Sequence, residues 1–108
     1  KFKKMSNKTR FLYFNTSADD AVAVPVHRIN QISHDGDASV HVEFEDAGSS
    51  SALGTVEMTV TDGYEAIVVK RIATICSEGT QAVTVIADDT NSQYCHPKLT
   101  AVGTITAA

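Results

Sequence analysis

One stretch of this chain reads as a helix, and everything around it reads as short strands and turns. Residues Asp62 to Gly79 run DGYEAIVVKRIATICSEG. Asp62 suits an N-cap, and Glu65 three residues on completes a capping-box-like pair. Gly79 stands where a left-handed C-cap belongs. Ile67, Val68, Arg71, Ile72, Ile75 and Cys76 trace a mainly apolar stripe at helical spacing, with Lys70 and Thr74 on the other side. The β-branched content also suits a strand over 66–72, and the two end signals decide for the helix. One helix among strands argues against a plain all-β sandwich. It points to a small sheet or barrel with a single helix packed on it.

The flanking segments supply the strands. RFLYF (10–14) is aromatic and apolar, and NTSADD (15–20) turns the chain. AVAVPV (21–26) follows, where Pro25 argues for an edge position or a bend because proline cannot donate to a ladder. HRINQIS (27–33) continues it, with Ile29 and Ile32 out of clean alternation. Asp35-Gly36 is a hairpin signal. In ASVHVEF (38–44), Val40, Val42 and Phe44 share one face, and Ser39, His41 and Glu43 the other. A loop over 45–52 leads to LGTVEMTVT (53–61), with Val56, Met58 and Val60 on one face. Strands over 80–87 and 98–106 close the chain, separated by a turn at 88–93, and Gly103 marks a bend or bulge.

A chain of 108 residues is one domain with one modest core. It has no apolar run near the roughly 20 residues that cross a bilayer, and a membrane partner is not expected. The basic start lacks the apolar segment of a secretory signal. The true start is open between Lys1 and Met5. Lys1, Lys3, Lys4, Lys8 and Arg10 crowd the first ten positions, which gives a flexible basic arm over 1–9 before a single domain over 10–108. Residues 11–108 carry four basic residues (Arg28, Lys70, Arg71, Lys98) against thirteen acidic, a formal −9. Phosphate neutralisation needs clustered cations. The ordinary reading of the body is a solvated acidic surface. The functional alternative is a local patch of Arg10, Arg28, Lys70 and Arg71, should the fold gather them.

No catalytic or metal motif stands out. Cys76 and Cys95, nineteen apart, form neither a metal knuckle nor a redox motif, and reduced thiols are expected without a secretory route. Asn7-Lys8-Thr9 and Asn15-Thr16-Ser17 match the glycosylation pattern, which needs that route. His27, His34 and His41 recur every seven residues, a spacing that flips faces along a strand and does not assemble a ligand set. His41 and Glu43 share a face, which an ordinary solvent-side pair explains. Adjacent Cys95 and His96 on a strand point opposite ways, so they make no nucleophile–base pair. Asp19-Asp20 and Asp88-Asp89 read as turn acids. No catalytic residue, metal or cofactor is expected, and an enzyme is the weakest of the functional readings.

The opening RFLYFNTSADDAVAVPVHRI, the strand VHVEF, the helix DGYEAIVVKRI and the closing IADDTNSQYCHPKLTAV resemble a cyanophage-type marine metagenomic family of small Sm-like proteins. The resemblance runs from about Met5 onward. It implies a mainly β fold: a small, strongly bent, five- or six-stranded Sm-like β-barrel, here with one α-helix at about 62–78. It also implies phage origin and a homo-oligomeric ring, with five subunits one candidate number. A non-enzymatic role in binding or processing RNA or DNA follows from it, in the cytoplasm of an infected bacterial host or in the virion. The alternative is a virion or accessory structural protein without nucleic acid. The usual Sm loop signatures are missing, and Sm-like proteins open with their helix. The nucleic-acid residues expected here, Arg10, Arg28, Lys70 and Arg71, therefore rest on charge rather than on a family motif.

Overall fold

A computed structural model describes residues 9–34, 36–45 and 53–106. The basic arm through Lys8 with Met5 and Asn7, the Asp35 of the hairpin signal, and the loop from Asp46 to Ala52 lie outside the described residues.

Among the described residues, eight strands and one α-helix form in the order β1 (Phe11–Ser17), β2 (Asp20–Pro25), β3 (Ile29–Ser33), β4 (Ser39–Glu45), β5 (Leu53–Val60), α1 (Glu65–Glu78), β6 (Val83–Asp88), β7 (Gln93–Tyr94) and β8 (Leu99–Thr106). The protein is therefore mainly β with a single helix. The strands divide into two four-stranded sheets, ordered β2-β1-β6-β7 and β3-β4-β5-β8. This differs from the five or six strands expected, and the described strands do not close into one barrel. The cause is local. Pro25 ends β2 without an N–H to donate, and a single 3-10 turn at Val26–Arg28 carries the chain from the first sheet into the second. Pro25 thus lies on an edge strand and also at a bend.

Most pairings are antiparallel, but β1 and β6 run parallel, with Phe11 opposite Val83. Two bulges explain local oddities of the sequence. Ile29 faces Phe44 while Gln31 faces Glu43, so the register slips between them. Ile29 and Ile32, although three apart, can then both pack against the core. On β8, Val102 pairs with Met58 and Thr104 with Glu57, which leaves Gly103 as the extra residue. A side chain at Gly103 would start 3.2 Å from the Glu57 carbonyl.

The alternation in β4 and β5 puts Val40, Val42, Phe44, Val56, Met58 and Val60 inside. Leu12 and Phe14 of β1, Val24 of β2, Ile86 of β6, and Leu99 and Val102 of β8 complete the core. Gly54 lies opposite Phe44, and a Cβ there would fall on the Phe44 ring and 2.9 Å from the Thr106 carbonyl. The ring therefore lies over a residue that has no side chain.

The helix packs on β3 and β4. It buries Val68 and Ile72, with Val69, Ile75 and Cys76 partly buried beside them. Complete burial of each of the first two contributes about 2 kcal/mol. The stripe expected from spacing splits: Ile67 is 49% exposed and Arg71 is exposed. Both ends also differ from expectation. The N-cap is Tyr64, with no side-chain cap bond. Glu65 reaches back instead, accepting from the Gly63 N–H (3.0 Å) and the Ala38 N–H (2.6 Å). Ala38 sits at φ 61° in the β3–β4 turn, a region that L-residues seldom occupy. The Glu65 carboxylate thereby ties that turn to the start of α1. At the other end, Gly79 has φ −68°, so it is no left-handed cap. It is glycine for want of space, since a Cβ would lie 2.6 Å from the Ile75 carbonyl oxygen and 2.8 Å from Arg10 Nη1.

Candidate functional site

The groups able to engage a ligand concentrate along one flank of α1. The segment from Tyr94 to Lys98 leaves β7 and enters β8 after the Lys98 carbonyl accepts from the Thr61 N–H (2.9 Å). His96 of that segment and the helix side chains Ile67, Lys70, Arg71, Thr74 and Ile75 enclose an open cleft of about 310 Å³. His96 Nδ1 accepts the Lys98 N–H (3.0 Å). A neutral ring in that arrangement carries its proton on Nε2 and is a donor there. The lining thus offers an ammonium, a guanidinium, a hydroxyl and an imidazole N–H between two isoleucines. No acid lies among these lining residues. In chemical terms such a set of donors complements an oxyanion, above all one with several acceptor oxygens such as a phosphate.

The same flank continues to the start of the helix. Tyr64, Ile67, Arg71 and Thr74 follow one another at spacings of three and four residues, which keeps them on one face. Lys98 Nζ lies 4.7 Å from the centroid of the Tyr64 ring, within cation–π range. Tyr64 is still 36% exposed. From Tyr64 to Ile75 the strip is about 16 Å long at the helical rise.

The four residues expected from charge fare differently. Lys70 and Arg71 come together in the cleft. Arg10 is engaged elsewhere, donating to the carbonyls of Ile75 (3.1 Å) and Cys76 at the C-terminus of α1. It satisfies exposed helix-end carbonyls and complements the negative end of the helix dipole. Arg28 is half-buried in the 3-10 turn and does not border the cleft. Thr74, His96, Tyr64 and Lys98 are additions that charge counting misses. Lys70 and Thr74, expected on the side away from the stripe, instead share the cleft with Ile67, Arg71 and Ile75. The spacing of Tyr64 from Arg71 was a usable signal, whereas His96 and Lys98 arrive by tertiary folding.

Other constellations are chemically quiet. His41 lies opposite Glu57 rather than against Glu43. Its Nε2 is 3.5 Å from Glu57 Oε2 and 3.1 Å from Ser39 Oγ. A hydrolytic relay needs the carboxylate on one ring nitrogen and the hydroxyl on the other, and here both meet the same nitrogen. Burial pushes the Cys95 thiol up to about 11, although Arg71 pulls the other way. Burial raises Cys76 as well, with Arg10 opposing. Both thiols are free and held in their un-ionised, weakly nucleophilic form. Among the described residues no three His, Cys, Asp or Glu side chains converge on a metal position. No helix among them is long and apolar enough to cross a membrane.

The acids of the 88–93 turn are turned inward. Asp88, 4% exposed, accepts from the backbone N–H of Asn91 (3.2 Å) and from its side-chain amide (2.9 Å). Asp89 accepts from the Tyr94 hydroxyl (2.7 Å) and the Val102 N–H (3.1 Å). Asn15, also buried, accepts from Thr90 Oγ1 and donates to the Ser17 carbonyl. Asp89 thus ties the turn to β7 and β8, and Asn15 ties it to β1. No family model, no curated protein and no solved structure matches the chain.

Proposed function

We propose that this protein is a non-enzymatic binding module that holds the phosphate backbone of RNA or DNA in the cleft beside α1. One observation carries the reading: Lys70, Arg71, Thr74 and His96 converge without an acid among the lining residues, in a body that is otherwise strongly acidic. In such a body a cationic strip is the place where a polyanion can approach. The basic residues of the arm, Lys1, Lys3, Lys4 and Lys8, add to its electrostatic attraction. The phage origin, the Sm-like character of the bent sheets and the ring of identical copies belong to the same proposal and rest on the sequence resemblance. Edge-to-edge pairing is the route to such a ring, and β2 and β3 each stand at the end of a sheet. The setting that goes with it is the cytoplasm of an infected bacterial host.

The test is fluorescence anisotropy with short labelled oligonucleotides, with mass measured in solution alongside. Two or three phosphate contacts on a single strand give a loss of about tenfold between 50 and 200 mM salt. Lys70→Gln with Arg71→Gln should remove most of the binding and most of that slope. No anisotropy change at low salt would end the nucleic-acid reading. A second reading, a virion or accessory structural protein without nucleic acid, is favoured by the acidic body itself. Recovery of the protein in purified particles, with no oligonucleotide binding, would select it.

A further inference from the structure

Resting on that reading, we infer that the ligand is single-stranded and that Tyr64 carries one of its bases while the cleft holds the neighbouring phosphate. The Tyr64 ring and the Arg71 guanidinium lie on the same flank of α1 two turns apart, with Ile67 between them. Two turns of helix is about 10.5 Å, close enough for one bound strand to reach both. Lys98 Nζ stands over the Tyr64 ring at 4.7 Å, and the ring remains 36% exposed. An aromatic face next to a cationic groove is the arrangement that selects unpaired nucleotides, because a base can leave its own stack and lie on the ring. A phosphate polymer without bases uses only the cationic half. A duplex keeps its bases stacked inside and brings a second charged strand toward the acidic remainder of the body.

The geometry also says which groups share the task. Lys98 polarises the ring from one side and adds a cation beside it. Ile67, 49% exposed, supplies an apolar floor between base and phosphate. Tyr64 makes no side-chain cap bond to the helix it precedes.

The experiment compares four probes of matched phosphate number with the whole chain at one salt concentration: a single-stranded RNA, the same sequence as DNA, the DNA duplex, and inorganic polyphosphate. The single strands should bind at least about fivefold tighter than duplex or polyphosphate, since one stacked base is worth about 5- to 150-fold. Tyr64→Ala should lose that advantage and leave polyphosphate binding within about twofold, whereas Tyr64→Phe retains it. Circular-dichroism melts of both variants confirm that α1 is intact. Equal binding of single strand and polyphosphate, unchanged by Tyr64→Ala, overturns the stacking inference and leaves the phosphate cleft standing. Duplex binding as tight as single-strand binding overturns it too. Failure of all four probes overturns the nucleic-acid reading itself. The RNA and DNA arms separate the two polymers.

Discussion

Replacing Arg10 by Met should loosen the last turn of α1 while leaving the cations of the cleft in place. Arg10 donates to the Ile75 and Cys76 carbonyls. Charge-assisted bonds of this kind are worth about 1.5–3 kcal/mol each, so a simple sum gives about 3–6 kcal/mol. That sum is too large, for two structural reasons. Ile75 O also accepts the Gly79 N–H at 2.9 Å, so it keeps a partner when Arg10 is removed. Cys76 is only half-buried, so water can reach its freed carbonyl. What remains is one partly screened bond and a helix-end charge worth about 0.3–1 kcal/mol. The expected cost is about 1–2 kcal/mol, or a fall in Tm of about 5–10 °C for a domain of this size. Urea unfolding followed by circular dichroism should show a lower midpoint at constant m. Arg10→Lys should recover part of the loss by restoring charge without the fork. Gly79→Ala provides the cross-check, because its Cβ would crowd Arg10 Nη1 and the Ile75 carbonyl. Its cost should be smaller in the Arg10→Met background than alone. A Tm change under about 2 °C for Arg10→Met, or strict additivity with Gly79→Ala, would refute the capping role. A folded Arg10→Met protein should still bind oligonucleotides through Lys70 and Arg71.

Gly54→Ala should displace the Phe44 ring from its seat and cost about 1–3 kcal/mol, read as a lower unfolding midpoint; an unchanged midpoint would mean the ring has room to move. The N–H of Ala38 holds the Glu65 carboxyl below its ordinary value of 4.5, with lesser help from other backbone N–H groups. Its stabilising contribution is therefore present above that value and lost as the pH falls through and below it, so wild type and Glu65→Gln should differ at pH 7 and converge in acid melts. Asp62 has the opposite sign, since Glu65 as a hydrogen-bond partner, then the charges of Asp37 and Glu65, raise it; Asp62→Asn should stabilise at pH 7 and make no difference in acid. The hydrogen bond to Asp89 pushes Tyr94 up to about 12, from 10.0. That stabilisation is complete below pH 10 and fades between pH 10 and 12, and ultraviolet titration of Asp89→Asn should find Tyr94 returned toward 10.

Local rules carried much of the fold. The alternation of Val40, Val42 and Phe44, the edge position of Pro25, the bulge at Gly103 and the existence of the helix were all legible, because each depends on neighbours within a few residues. The division into two sheets was not, because it turns on how the chain leaves β2. The two-residue β7 is too short to leave a periodic trace. The helix ends were misread for a related reason: Glu65 finds Ala38 and Arg10 finds Ile75 across long sequence separations, so capping rules written for the adjacent residues miss both. In the cleft, Lys70 and Arg71 stood out as rare cations in an acidic body. His96 and Lys98 did not, since they reach the helix flank only once β7 and β8 are in place.

The parallel pairing of β1 with β6 sets an order of events for a growing chain. The β1–β2 hairpin and the β3-β4-β5 meander are local and can form as they emerge. Phe11 must wait for Val83, and bringing those two ends together costs about 4 kcal/mol of chain entropy. Until then Leu12 and Phe14 have no cover from Ile86, and one side of β1 stays unpaired. A ribosome that stalls between α1 and β6 would release a chain with an open, apolar strand edge, the form most prone to stick to its own kind. Pauses in synthesis within that interval should therefore lower soluble yield more than pauses before it.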